Sequence, residues 1–165
     1  MLDTKKLEQA FGQGARSRKA EAAHRGFAGA VAALETFYYA FNNRDIDAMH
    51  DVWDEVDQIQ LNNPVGGIIR GREEVMALYT RIFYGHARVW VELSDIFYYA
   101  SEEMVVFAGT EHGAFTREGI TIPLKIRTTR LFTYRDHHPH QWVQVHHHGS
   151  IDDADVLQRY QAAVL

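Results

Sequence analysis

The run from Ile120 to Tyr134 constrains the fold of this chain more than any other stretch. Its even positions read Ile120, Ile122, Leu124, Ile126, Thr128, Arg130, Phe132 and Tyr134, and its odd positions read Thr121, Pro123, Lys125, Arg127, Thr129, Leu131 and Thr133. A period of two with one apolar set is the pattern of a half-buried β-strand, so the even face belongs to the core. That places Arg130 among core side chains. An unpaired guanidinium there would be costly, so the position demands a partner. The partner is either a carboxylate, such as Glu111 on the preceding strand, or an anion held in a pocket. A bulge turning Arg130 outward is the third alternative.

The next run, Gln141–Ser150, reads QWVQVHHHGS and follows a polar loop with Arg135, Asp136, Pro139 and three histidines, as in a β-hairpin with an extended turn. Its facing is ambiguous. Val143 and Val145 put the odd face inward, carrying His147 and Gly149 with them, whereas Trp142 argues for the even face. A second chain packed on the back of the sheet would cover both faces. The histidines also raise a metal site, because imidazoles at 137, 138, 140, 146 and 148 suit zinc, nickel or copper. No acidic or cysteine partner stands at metal-site spacing and HExxH is absent, so solvated loop histidines and packed strand histidines are expected, with no metal. Nor does a P-loop, nucleophile elbow or dinucleotide fingerprint occur; Gly66-Gly67 lacks the required spacing, and no cofactor is expected.

Upstream, the periodicity changes. Residues 1–24 carry mixed charges, Gly12 and Gly14 and few large apolar groups, and read as a weakly ordered arm or short helix. From Arg25, apolar Phe27, Val31, Leu34, Tyr38 and Phe41 recur every three or four residues, which is one face of an amphipathic helix ending near Asn42 and Asn43. Asp45 then caps a short helix with Ile46, Met49, Val52 and Trp53. Asp57 to Asn63 reads as a short strand closed by the breaker NNPVGG, and Val75, Leu78, Tyr79, Ile82 and Phe83 mark a third helix. Strands at Arg88–Tyr99 and Met104–Thr116 precede the two already described. Asp152 and Asp153 open a last helix, Ala154–Val164. Helices first and an antiparallel meander afterwards make an α+β domain, here residues 25–165, rather than a βαβ one.

Charge and composition narrow the function classes. A net charge of −5 argues against nucleic acid or an anionic membrane surface as partner. The absence of cysteine removes disulfides, thiolate metal sites and cysteine nucleophiles. No apolar run approaches the ~20 residues of a membrane helix. Arg16 to Leu34 has some features of a signal peptide, but Glu21 interrupts its charged region and the apolar pattern runs past any cleavage site, so a cytoplasmic protein is expected.

The order of elements, NNPVGGIIRG after the first strand, and TTRLFTYRD followed by QWVQVHHHGS together resemble the nuclear transport factor 2-like superfamily. The resemblance is to its SnoaL-like branch, over residues 25–165, with likeness also to ketosteroid isomerases and to the association domain of calcium/calmodulin-dependent kinase II. It implies a cone: a strongly curved antiparallel sheet wrapped around N-terminal helices, enclosing a pocket, and commonly a homodimer formed through the sheet. The association domain's Thr-Arg pair matches Thr129-Arg130, whose arginine would then point into the pocket. Its second pocket arginine falls on Gly149, so that contact is missing. The isomerase's general base, an aspartate before Pro-Val-Gly, falls on Asn63, and its oxyanion tyrosine falls on Phe37. An amide cannot take up a proton near neutral pH, so isomerase chemistry of that type is not expected.

Two functional expectations follow, and neither names a reaction. In one, an interior pocket binds a small acidic or carbonyl-bearing molecule. Arg130 is then the anchor, Thr128 and Asn63 are hydrogen-bonding groups, Trp53 and Tyr79 are apolar walls, and His147 is an acid or base. In the other, the domain is a homodimerising assembly module without catalysis, and Arg130 belongs to an internal ion pair.

Overall fold

A computed structural model describes residues 1–165. The elements in chain order are β1 (Asp3–Leu7), α1 (Lys19–Ala22), α2 (Phe27–Asn43), α3 (Ile46–Val52), β2 (Gln60–Asn62), β3 (Ile68–Arg70), α4 (Arg72–Tyr84), β4 (Arg88–Ala100), β5 (Met104–Arg117), β6 (Ile120–Arg135), β7 (Gln141–Ser150) and α5 (Ala154–Val164). The strands form one open sheet in the order β1-β4-β5-β6-β7-β2-β3. Every neighbouring pair is antiparallel except β2 and β7, which run parallel with Leu61 beside His147. The α+β architecture is thus a mixed sheet with helices on its inner side.

Helix α2 organises that inner side. It packs against β4, β6 and β7. Since β5 and β6 lie between β4 and β7, the sheet must curl around the helix for both to reach it. Small residues permit the close approach: Ala30, Ala32 and Ala40 are fully buried, and Gly29 sits where a Cβ would come within 2.9 Å of the Trp142 ring. At the other end Asn42 bonds the free edge of β4, donating to the Val91 carbonyl and accepting from its amide at 2.9 and 3.0 Å. Helix α3 begins as its sequence suggests, with the Asp45 carboxylate accepting from the Ala48 amide.

Strand β7 contains the feature that its sequence pattern could not reveal. Leu131 pairs with His146 but Phe132 pairs with Gln144, so Val145 is an extra residue. The bulge switches the phase of the strand: Trp142 and Gln144 face inward before it, and His147 and Gly149 face inward after it. One chain therefore satisfies both halves of the pattern. On β6 the even positions from Leu124 to Phe132 are buried, Arg130 included, while Ile120 lies beyond the core and is 65% exposed.

Residues 1–24, read as an arm or short helix, contain a strand as well as a short helix. Asp3–Leu7 pairs along Ile96–Ala100, Phe11 bridges to Leu93, and α1 follows. Strand β1 is nearly all exposed and held by backbone bonds to an open edge, so it carries no alternation to recognise. No helix is long and apolar enough to cross a membrane.

Candidate functional site

Between α2, α4 and the concave side of the sheet lies a cavity of about 50 Å³. Phe37 and Phe41 of α2, Leu78, Tyr79 and Ile82 of α4, and Leu61, Val91 and Ile126 of the sheet make its apolar wall. Its polar side consists of Asn63, Glu111, Arg130 and His147, and Tyr160 from α5 closes it.

Arg130 is 2% exposed, and each of its three nitrogens donates one hydrogen bond. Its Nε donates to the Tyr38 hydroxyl at 2.9 Å, Nη1 to Gln144 Oε1 at 3.2 Å and Nη2 to Glu111 Oε1 at 2.8 Å. The Tyr38 hydroxyl donates in turn to Glu111 Oε1. The guanidinium lies 3.5 Å from the centre of the Phe37 ring, a cation–π contact in a dry setting. Arg130 therefore faces inward and has a carboxylate partner, the ion pair that its burial demanded.

Burial sets the protonation of this wall. It pushes the Tyr38 hydroxyl well above the usual tyrosine range, and the Tyr79 hydroxyl up to about 12. For Arg130 burial opposes the charge, but Tyr38, Glu111 and Tyr79 outweigh it and keep the guanidinium protonated. His147 moves the other way. Burial and then the Arg130 charge hold its imidazole neutral, well below the usual histidine value. Its Nδ1 has no hydrogen-bond partner, and neither do Gln144 Nε2, Trp53 Nε1 and Trp142 Nε1, all fully buried.

Of the residues singled out from sequence, Arg130, Asn63, Tyr79 and His147 line one cavity. Trp53 and Thr128 are buried but do not line it; Trp53 backs Tyr79 with ring centres 6.3 Å apart, and the nearest partner of the Thr128 hydroxyl is the Ile126 carbonyl at 3.5 Å. Asn63 uses its Oδ1 to accept from the Val65 amide at 3.3 Å, which shapes the turn into β3. Gly149 is occupied by that same turn, since a Cβ there would stand 2.4 Å from Pro64 Cγ. No arginine side chain fits at that position.

Three contributors escaped the sequence reading. Gln144 was hidden by the bulge, Phe37 by its ordinary place in a helical stripe, and Tyr160 by its distance along the chain. Tyr160 stacks on Phe115 with ring centres 5.1 Å apart. Its helix is tied down by Gln161 donating to the Val65 carbonyl at 2.7 Å and by Arg117 donating to the Ala162 and Ala163 carbonyls at 2.7 and 3.1 Å. No group of three or more His, Cys, Asp or Glu side chains is placed to hold a metal ion. The wall thus offers the Asn63 amide, one paired guanidinium and carboxylate, and a neutral imidazole around an apolar space.

Comparison with known proteins agrees with this architecture. The family model described as a SnoaL-like domain matches residues 31–154. Among solved structures, a candidate calcium/calmodulin-dependent protein kinase type II association domain from Thiobacillus denitrificans is 25% identical with a TM-score of 0.59, covering 74% of this chain and 94% of that one. A ketosteroid isomerase-like protein from Erwinia carotovora atroseptica is 19% identical with a TM-score of 0.62, covering 75% and 94%. An uncharacterized protein with a cystatin-like fold from Caulobacter vibrioides is 19% identical with a TM-score of 0.59, covering 79% and 92%. No curated protein matches the chain in sequence.

Proposed function

Because the chain belongs to the SnoaL-like domain family, we propose that it is a small-molecule-binding domain. Its inner cavity takes a compact ligand that presents a carbonyl or acidic oxygen to Arg130 and Asn63. The observation that carries this reading is the convergence of Asn63, Glu111, Arg130 and His147 on one apolar cavity, with Glu111 Oε2 in no hydrogen bond. A carboxylate oxygen left without a donor at a cavity wall is costly where side chains only pack, and a ligand N–H or O–H satisfies it. An apolar space with a few convergent polar groups is also the usual make-up of a ligand pocket.

In this reading Arg130 anchors the ligand oxygen, Asn63 supplies a second hydrogen-bonding group from its turn, and Tyr79 forms a wall. Trp53 and Thr128 support that lining from behind. His147 is the one candidate acid or base, and the proposal assigns no reaction. At about 50 Å³ the closed cavity suits only a molecule of a few heavy atoms, against roughly 300–1,000 Å³ for common ligand pockets. A larger ligand requires Tyr160 to move. A thermal-shift screen of small ketones, amides and carboxylates tests the reading: at least one class should raise the melting temperature of the wild type and lose most of its effect in Asn63→Ala. No shift from any class rejects it.

A second reading, homodimerisation through the sheet, draws on a different observation. Trp90, Phe97, Tyr99 and Met104 are exposed on the outer face of β4 and β5. Such a patch favours association. Light scattering at micromolar concentration should give a dimer that Phe97→Glu weakens, and a monomeric wild type excludes it. A cytoplasmic location belongs to the same proposal, as does the lack of a nucleic-acid or membrane partner, the latter on the strength of the net charge of −5.

A further inference from the structure

Resting on that pocket reading, we infer that the cavity selects neutral ligands carrying an acceptor oxygen beside a hydrogen-bond donor, rejects carboxylates, and owes this preference to Glu111. The balance of charge inside the cavity is the first ground. Arg130 is the cavity's cationic group, and its charge is met by Glu111 at 2.8 Å, with the two side chains 3% and 4% exposed. The remaining lining groups are hydrocarbon, aromatic, amide or hydroxyl, and His147 is neutral. A carboxylate entering this space finds a guanidinium already matched and a like charge next to it. In this mostly apolar lining the repulsion is screened less than it would be at the surface.

The second ground is the pattern of bonds on Glu111. Tyr38 and Arg130 both terminate on Oε1, and Oε2 takes part in no hydrogen bond although the side chain lines the cavity. Asn63, whose Oδ1 accepts from the Val65 amide, brings its side-chain N–H₂ to the same lining as the complementary donor. A primary amide or a hydroxy-ketone fits both: its oxygen accepts from Asn63 Nδ2 and its N–H or O–H donates to Oε2. A carboxylate has no proton to give Oε2, so it fails on bonding as well as on charge.

Propionamide and propionate are close in shape and differ in charge and in the donor, which makes them the deciding probes. Thermal melts of the full chain with each should show a concentration-dependent rise for propionamide and none for propionate. In Glu111→Gln the guanidinium loses its counter-charge, and propionate should become the stabilising ligand. If propionate stabilises the wild type as well as propionamide does, the role of Glu111 is overturned while the pocket reading stands. If no neutral or anionic probe shifts the wild type, the pocket reading itself falls and the inference with it. Should Glu111→Gln not fold, Asn63→Lys adds a positive charge at the turn without touching the ion pair. Admission of propionate by that variant is the expected result, and continued exclusion overturns the charge argument.

Discussion

Arg130 Nη2 donates to Glu111 Oε1 at 2.8 Å, in a pair from which water is almost wholly excluded. Such pairs are costly to halve, because the survivor is a buried charge without a partner. Arg130→Met and Glu111→Leu are each expected to lower unfolding stability by ~3–5 kcal/mol. The double variant should lose less than the two single losses combined, a coupling that a urea double-mutant cycle measures.

His147 gives a pH signature of defined sign. Folded, its imidazole stays neutral well below the usual histidine value. Unfolded, it takes a proton below pH ~6.5, so the unfolded state binds more protons there and stability falls as pH drops through that value. The slope is up to ~1.4 kcal/mol per pH unit until the folded value is reached. Half-buried His146 is lowered too and adds in the same direction. Urea midpoints below neutral pH should therefore fall less steeply in His147→Asn than in the wild type.

Gly29→Ala pits helix propensity against packing. Alanine gains ~1 kcal/mol within a helix. Here its Cβ would meet the His24 carbonyl oxygen at 2.0 Å and the Trp142 ring at 2.9 Å. Backbone cannot give way as a flexible side chain can, so overpacking wins, with a net loss of ~1–3 kcal/mol visible as a lower melting temperature.

Tyr160→Ala should separate stability from ligand capacity. Loss of the stack on Phe115 and of a buried ring is expected to cost ~3–5 kcal/mol, by analogy with other aromatic truncations. The same change joins the ring's volume to the cavity, so a bulkier neutral ketone such as cyclohexanone should stabilise the variant more than the wild type. Equal shifts in the two proteins would contradict a closing role for Tyr160.

Much of this was legible in the sequence, and the reasons differ by element. Helix α4 and strand β6 each bury one face, so their periodicity survives in the residue order, and the inward facing of Arg130 follows from alternation alone; α2 is buried nearly all round, and only its large side chains keep the helical spacing. Strand β7 was misleading because a single inserted residue, Val145, reverses its phase and conceals Gln144. Strands β1 and β3 are short and scarcely buried, so they depend on neighbours rather than on their own pattern. Glu111 could be suggested as a partner from the needs of Arg130, but Tyr160 enters the site by tertiary packing across the chain, for which spacing gives no signal.

The central claim is that the space beside Arg130 is a binding site for a small neutral molecule. A crystal structure of the protein grown with propionamide tests it most directly. The account predicts density for the ligand inside the cavity, its oxygen within hydrogen-bonding distance of Asn63 Nδ2 and its amide nitrogen facing Glu111 Oε2. A cavity holding only water under saturating ligand, with Asn63 and Glu111 unmoved, would contradict it.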